Sequence, residues 1–134
     1  MSDVVIRNGK VVTHTDILEA DVAIEGEKIA AIGKGIGKGK REIDAGGKYV
    51  MPGCIDPHTH MGVFVDMDGD IKHETRAALA GGTTTILHCL FSKTPILETY
   101  KNVKASFDKL ASCDFGFYAA LLYEGDVKSI DELS

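Results

Sequence analysis

Two different hydrophobic rhythms divide this chain. Over residues 3–50 the apolar positions come in short runs with a period near two: Val4-Val5-Ile6, Val11-Val12, the alternating Asp21-Val-Ala-Ile-Glu25, and Lys28-Ile-Ala-Ala-Ile-Gly33. Successive side chains on a strand point to opposite faces, so this rhythm predicts half-buried antiparallel strands. Asn8-Gly9 predicts a hairpin turn between the first two runs, because both central residues of such a turn need positive φ. Glu25-Gly26-Glu27 predicts the next turn. Arg41-Glu-Ile-Asp-Ala45 and Tyr49-Val50-Met51 add two more strands around Gly46-Gly47. Residues 1–52 therefore read as a small all-β unit.

From Gly53 onward the rhythm alternates between two periods. Asp70 is placed to cap a helix from about Ile71 to Ala80, which Gly81-Gly82 ends, and the β-branched Thr83-Thr-Thr-Ile-Leu-His-Cys89 follows as a strand. Thr94-Pro95 reads as a cap with proline at the first helical position, and Ile96, Tyr100, Val103, Phe107 and Leu110 recur along one helical face. Phe115-Gly-Phe-Tyr-Ala-Ala-Leu-Leu122 is apolar without alternation, as in a parallel strand covered on both sides. With a strand at Ile55, residues 53–134 run strand, helix, strand, helix, strand. That order predicts right-handed βαβ units in a parallel sheet or barrel. Ser129-Ile-Asp-Glu132 has the form of a capping box and announces a helix that would need residues beyond Ser134. The expectation is an N-terminal piece of a longer protein.

Composition narrows the function classes. The chain has 134 residues, 44% apolar and 26% charged, which is ordinary for a globular protein. Its 15 basic and 20 acidic residues give a net charge of −5, which argues against a nucleic-acid or anionic-membrane partner. No apolar run approaches a membrane span, and the first residues lack the pattern of a secretory signal. Cys54, Cys89 and Cys113 form neither a disulfide framework nor a C-x-x-C pair, so a reducing cytoplasm is the expected compartment. The glycine-rich Gly33-Lys-Gly-Ile-Gly-Lys-Gly-Lys40 fits neither phosphate-loop spacing and reads as a solvated connection.

The stretch that carries chemistry is Met51-Pro-Gly-Cys-Ile-Asp-Pro-His-Thr-His60. Residues 58 and 60 lie about 6 to 7 Å apart along one strand face and can aim two imidazoles at a single point. Two neutral imidazoles are half of a catalytic zinc site, which takes three or more protein ligands and leaves one position open. Asp56, two residues earlier, is placed to accept a ring N–H from one histidine and fix its tautomer. Pro57 does not suit the middle of a central strand. It puts both histidines at the strand's C-terminal end, where parallel sheets and barrels keep their sites. A pair of satisfied or exposed histidines is the bland reading of the same spacing.

With these residues assembled, the chain resembles the start of a cyclic amidohydrolase of the dihydropyrimidinase and hydantoinase group. The resemblance is carried by Val5-Ile-Arg-Asn-Gly-Lys10, the 51–60 stretch, Thr75-Arg-Ala-Ala-Leu-Ala-Gly-Gly-Thr-Thr-Thr-Ile86 and Asp114-Phe-Gly-Phe117, in that order. It implies an α/β fold: the first units of a metal-dependent (β/α)8 TIM barrel over 53–134, preceded by part of a small β-sandwich over 1–52. It implies that His58 and His60 hold one ion of a binuclear zinc centre. A bridging carboxylated lysine, two further histidines and a proton-shuttling aspartate would lie beyond Ser134. Lys128 precedes the strand that would carry the bridge and is not that residue.

The implied reaction is hydrolytic opening of a dihydropyrimidine- or hydantoin-type ring by metal-activated hydroxide. Allantoin and dihydroorotate are neighbouring substrates, and a homotetramer is the implied assembly. Phe64 matches a position near the substrate, or else packs within its loop. Relatives commonly place an acidic residue where His88-Cys89 stands here, so His88 is expected to be a pocket-wall or core residue rather than a ligand, and substrate identity is left open. His14 and His73 read as surface residues, and neither Cys54 nor Cys89 has a base to make it a nucleophile. The 134 residues alone are expected to be incomplete and inactive. A catalytically dead structural relative is the alternative, against which intact His58 and His60 count. A self-standing module would leave a bare sheet edge.

Overall fold

The structure, a computed structural model, describes residues 1–92, 95–122 and 124–133. Its contacts divide it into two units, Met1–Pro52 and Gly53–Ser134.

The first unit is one sheet organised on a long central strand. This is β1 (Ser2–Val12), with β2 (Ile17–Glu25), β3 (Lys28–Gly33), β4 (Gly39–Asp44) and β5 (Tyr49–Val50) following it in sequence. The order is β3-β2-β1-β4, with β5 also pairing with β1. The predicted meander holds for β1, β2 and β3, which pair antiparallel, whereas β4 and β5 both pair parallel to β1.

Asn8-Gly9 is not a hairpin turn. Only Asn8 adopts positive φ, at 56°, and β1 runs straight through it as a bulge that shifts the register against β2 between Ile6 and Gly9. Hydrogen bonds from both sides hold the bulge. The Asn8 backbone N–H donates to Asp21 Oδ1 and its side-chain amide to Asp44 Oδ1, each at 3.0 Å. A Cβ at Gly9 would lie 2.6 Å from Val50 Cγ2, so the missing side chain lets β5 approach. The 33–40 connection is also fastened. Arg7 donates to the carbonyls of Ile36 and Gly37 at 2.7 and 3.0 Å while pairing with Glu42 and Asp21.

The second unit alternates as predicted: β6 (Cys54–Thr59), α1 (Met67–Ala80), β7 (Thr83–Leu90), α2 (Ile96–Leu110), β8 (Asp114–Ala119), then the single turns α3 (Glu124–Val127) and α4 (Ile130–Leu133). The three strands form a parallel sheet in the order β6-β7-β8. Within this sheet β6 is an edge strand, so Pro57 interrupts pairing at little cost. The register to β7 breaks between Asp56 and Thr59.

Helix α1 begins four residues before its predicted start. Asp66, not Asp70, is the N-cap and accepts the Gly69 N–H at 2.7 Å, while Asp70 accepts the Gly62 N–H at 2.8 Å and ties down the preceding loop. Gly81 and Gly82, the latter at φ 90°, end the helix as expected. Pro95 occupies the cap position of α2 rather than its first helical residue, and the Thr94 cap lies outside the described residues. A single turn follows Ser129, and the Glu132 side chain of the predicted capping box likewise lies outside them.

The core of this unit lies between the sheet and its two long helices. Ile86, Leu90, Phe115 and Phe117 point to that side and pack with Ile71 of α1 and Ile96, Val103 and Phe107 of α2. Thr75 joins the helices at their crossing. Its buried hydroxyl donates to the Ile71 carbonyl at 2.6 Å and accepts the Ser112 N–H at 3.0 Å. Leu87, Cys89, Gly116 and Tyr118 alternate with the core residues and therefore lie on the opposite, helix-free face.

Candidate functional site

The C-terminal end of β6 meets that helix-free face. His58 is the fifth residue of the strand and His60 lies just beyond its end. Both side chains are exposed, and their Nε2 atoms converge to 2.8 Å, with ring centroids 4.6 Å apart in an edge-on arrangement. One nitrogen donates and the other accepts. The i, i+2 spacing thus does what strand geometry promised and brings two imidazole nitrogens to one point.

Asp56 takes a different part from the one expected. Its Oδ1 accepts the backbone N–H of His58 at 3.1 Å and does not receive a ring proton. The Asp56 side chain is short, so it meets the backbone two residues on before it can reach the ring. The Nδ1 of His58 is instead hydrogen-bonded to the Tyr118 hydroxyl, with ring centroids 5.4 Å apart. Tyr118 was hidden inside an apolar strand run. Its position emerges only from register: Thr59 pairs with His88, His88 with Phe117, and Cys89 with Tyr118. Burial holds the Tyr118 phenol above its ordinary pKa, and a hydrogen bond to Cys89 adds to the shift. Phe91 packs edge-on to His60 at 5.6 Å.

His88 lies in the core, as the sequence suggested, and faces the helices. It is 2% exposed and sits between Phe107 and Phe117, with ring centroids at 5.3 and 6.3 Å. Among the described residues its buried Nδ1 has no hydrogen-bond partner. Burial drives its pKa down to about 4, the charge of nearby His60 adds to that, and a hydrogen bond with the Thr59 backbone opposes it. The folded state therefore binds the His88 proton more weakly than the unfolded chain does. The resulting stability is complete above about pH 6.5 and is lost as pH falls toward 4, by at most about 3 kcal/mol. Denaturant titrations at pH 7 and pH 4 should show this loss, and His88→Leu should remove that share of the pH dependence. Parallel pH profiles for the two proteins would refute the assignment.

Among the remaining candidates, Phe64 is 98% exposed and does not pack within its loop. His14 is exposed, and His73 lies on the α1 surface with Nδ1 2.8 Å from Glu74. Cys54 is exposed, Cys89 and Cys113 are buried, and all three are free thiols. Among the described residues, no three His, Cys, Asp or Glu side chains are grouped to hold a metal ion.

No profile of a known protein family matches the chain. Individual proteins do. The D-hydantoinase of Geobacillus stearothermophilus is 47% identical over 123 residues, which cover 84% of this chain and 25% of that protein. An allantoinase of Salmonella paratyphi B is 35% identical over 111 residues, covering 79% of this chain and 24% of the enzyme. The solved structure of the L-hydantoinase (dihydropyrimidinase) from Arthrobacter aurescens superimposes with a TM-score of 0.84 at 29% identity, over 98% of this chain and 31% of its own. The chain thus spans about a quarter of the length of the curated relatives it matches, and it corresponds to the N-terminal part of its structural relatives. The shared fold makes its elements the opening of an amidohydrolase (β/α)8 barrel, preceded in sequence by part of a β-sandwich. Over that N-terminal part, the chain is similar to members of the dihydropyrimidinase and hydantoinase group of cyclic amidohydrolases.

Proposed function

We propose that the protein carrying these residues hydrolyses cyclic amides, opening hydantoin-, dihydropyrimidine- or allantoin-type rings. His58 and His60 would contribute two ligands to a binuclear zinc centre. The observation that supports this most is the convergence of their Nε2 atoms to 2.8 Å at the C-terminal end of a parallel strand, in a chain related to hydantoinases and an allantoinase. Two imidazole nitrogens suit zinc in kind, and a tetrahedral ion holds such a pair roughly 3.3 Å apart. They fall short in number, so the other ligands must come from parts of the protein outside this chain.

A bound divalent ion would supply a strongly acidified water and polarisation of the ring carbonyl. The residues of this chain prepare for that chemistry. His58 and His60 present lone pairs from one strand end, and the Asp56 carboxylate holds the backbone between Pro57 and His58 in place. Phe64, unpacked and exposed, is available to lie against a substrate ring. The protein is proposed to work as a homotetramer in the cytoplasm, where its three free thiols suit a reducing environment.

The test is direct. Intact protein loaded with zinc is offered hydantoin, dihydrouracil and allantoin, and the ring-opened acid is measured together with metal content. Opening of at least one ring is the expected result, and failure on all three with the metal bound would refute the proposal.

A further inference from the structure

We propose that Tyr118 is a positioning residue for His58: its phenol oxygen accepts the Nδ1–H of that imidazole and so leaves the Nε2 lone pair directed at the point shared with His60. This rests on the metal-ligand role of His58 given above. Both nitrogens of the ring are engaged, Nδ1 by the Tyr118 hydroxyl and Nε2 by His60 at 2.8 Å. A neutral imidazole carries one proton between its two nitrogens, and the partners decide where it sits. If the phenol donated to Nδ1, the proton would lie on Nε2 and block the nitrogen that faces His60. If the phenol accepts, Nε2 is left bare.

A zinc ligand needs an unprotonated nitrogen, so a His58 that binds through Nε2 carries its proton on Nδ1, and the Tyr118 oxygen is the acceptor in contact with it. The contact links β6 to β8 across β7, so the ring orientation is set by register rather than by a flexible loop. Such outer partners of a metal-bound imidazole typically change metal affinity by about 10- to 100-fold when removed.

The experiment uses the intact protein, metal-free, with 15N-labelled histidine. The wild type should show His58 as the Nδ1–H tautomer. Tyr118→Phe keeps the ring and removes only the oxygen. It should move His58 toward the Nε2–H tautomer and weaken binding of zinc alone by about 10- to 100-fold. Tyr118→Met, which also lacks the hydroxyl, should shift the tautomer in the same direction and gives a second route if Tyr118→Phe does not fold. An unchanged His58 tautomer in either folded variant, or zinc affinity within about threefold of wild type in Tyr118→Phe, would overturn the assignment. His58→Asn separates the two levels. If it binds zinc as well as wild type, the metal reading itself fails. If it loses zinc while Tyr118→Phe does not, only the positioning role fails.

Discussion

On the proposed function, replacing His58 or His60 by asparagine will abolish ring opening by the intact protein and leave its fold in place. Each substitution removes one of the two nitrogens that meet at 2.8 Å, and asparagine offers a poor zinc ligand in exchange. On that reading the substitution removes the metal-activated nucleophile. The expected fall in kcat/KM is on the order of 10^4-fold or more. Stability should change by less than about 1 kcal/mol, because both rings are exposed and belong to neither core cluster. Elemental analysis of the purified variants should show zinc lost in step with activity, while circular dichroism and the melting temperature stay near wild type. Full turnover in either variant would remove these histidines from the site.

The two histidines were legible because their meaning is local. An i, i+2 pair after a proline needs only strand geometry to be placed. Tyr118 was not legible, because what it touches depends on a partner 60 residues away and on the register of two parallel strand pairs. A run such as Phe115-Gly-Phe-Tyr-Ala reads as buried on both faces whether its fourth residue meets a helix or a histidine. Asp56 shows the opposite limit. A short carboxylate is captured by a backbone N–H two residues on, and periodicity carries no information about that competition.

The fold shows the same division. The βαβ alternation came through because helical and strand periods differ strongly over ten or more residues. The departures are places where one local signal served two structures. Asn-Gly favours positive φ, which suits a bulge as well as a hairpin, and pairing on both sides of β1 decided for the bulge. Asp66 and Asp70 can both cap a helix. Gly69, a weak helix former, made the later start look better, but as the third helical residue its N–H is the one the Asp66 cap satisfies. The parallel course of β4 and β5 beside β1 leaves no trace in alternation, which is the same for either strand direction.

Phe107→Ala is expected to be the most destabilising single change in the second unit. The ring is 0% exposed and sits at the centre of an aromatic group, with Phe115 and Phe117 at centroid distances of 5.1 Å and His88 at 5.3 Å. It packs against His88 of β7 and against Phe115 and Phe117 of β8, so no single neighbour can move in to fill the space. Truncation removes the transfer energy of a large ring and its edge-to-face contacts, and it leaves a cavity that strands fixed by parallel pairing are poorly able to close. The expected cost is about 3 to 5 kcal/mol. Native-state hydrogen exchange at the β7 amides reads it without interference from the rest of the protein, since those amides open with the core they belong to. Protection there should fall on the order of 10^2- to 10^3-fold or more, while the amides of β1 and β2 keep theirs. A fall of less than about tenfold, or about 1.4 kcal/mol, would mean that the sheet–helix core collapses around the missing ring and that Phe107 is not its keystone.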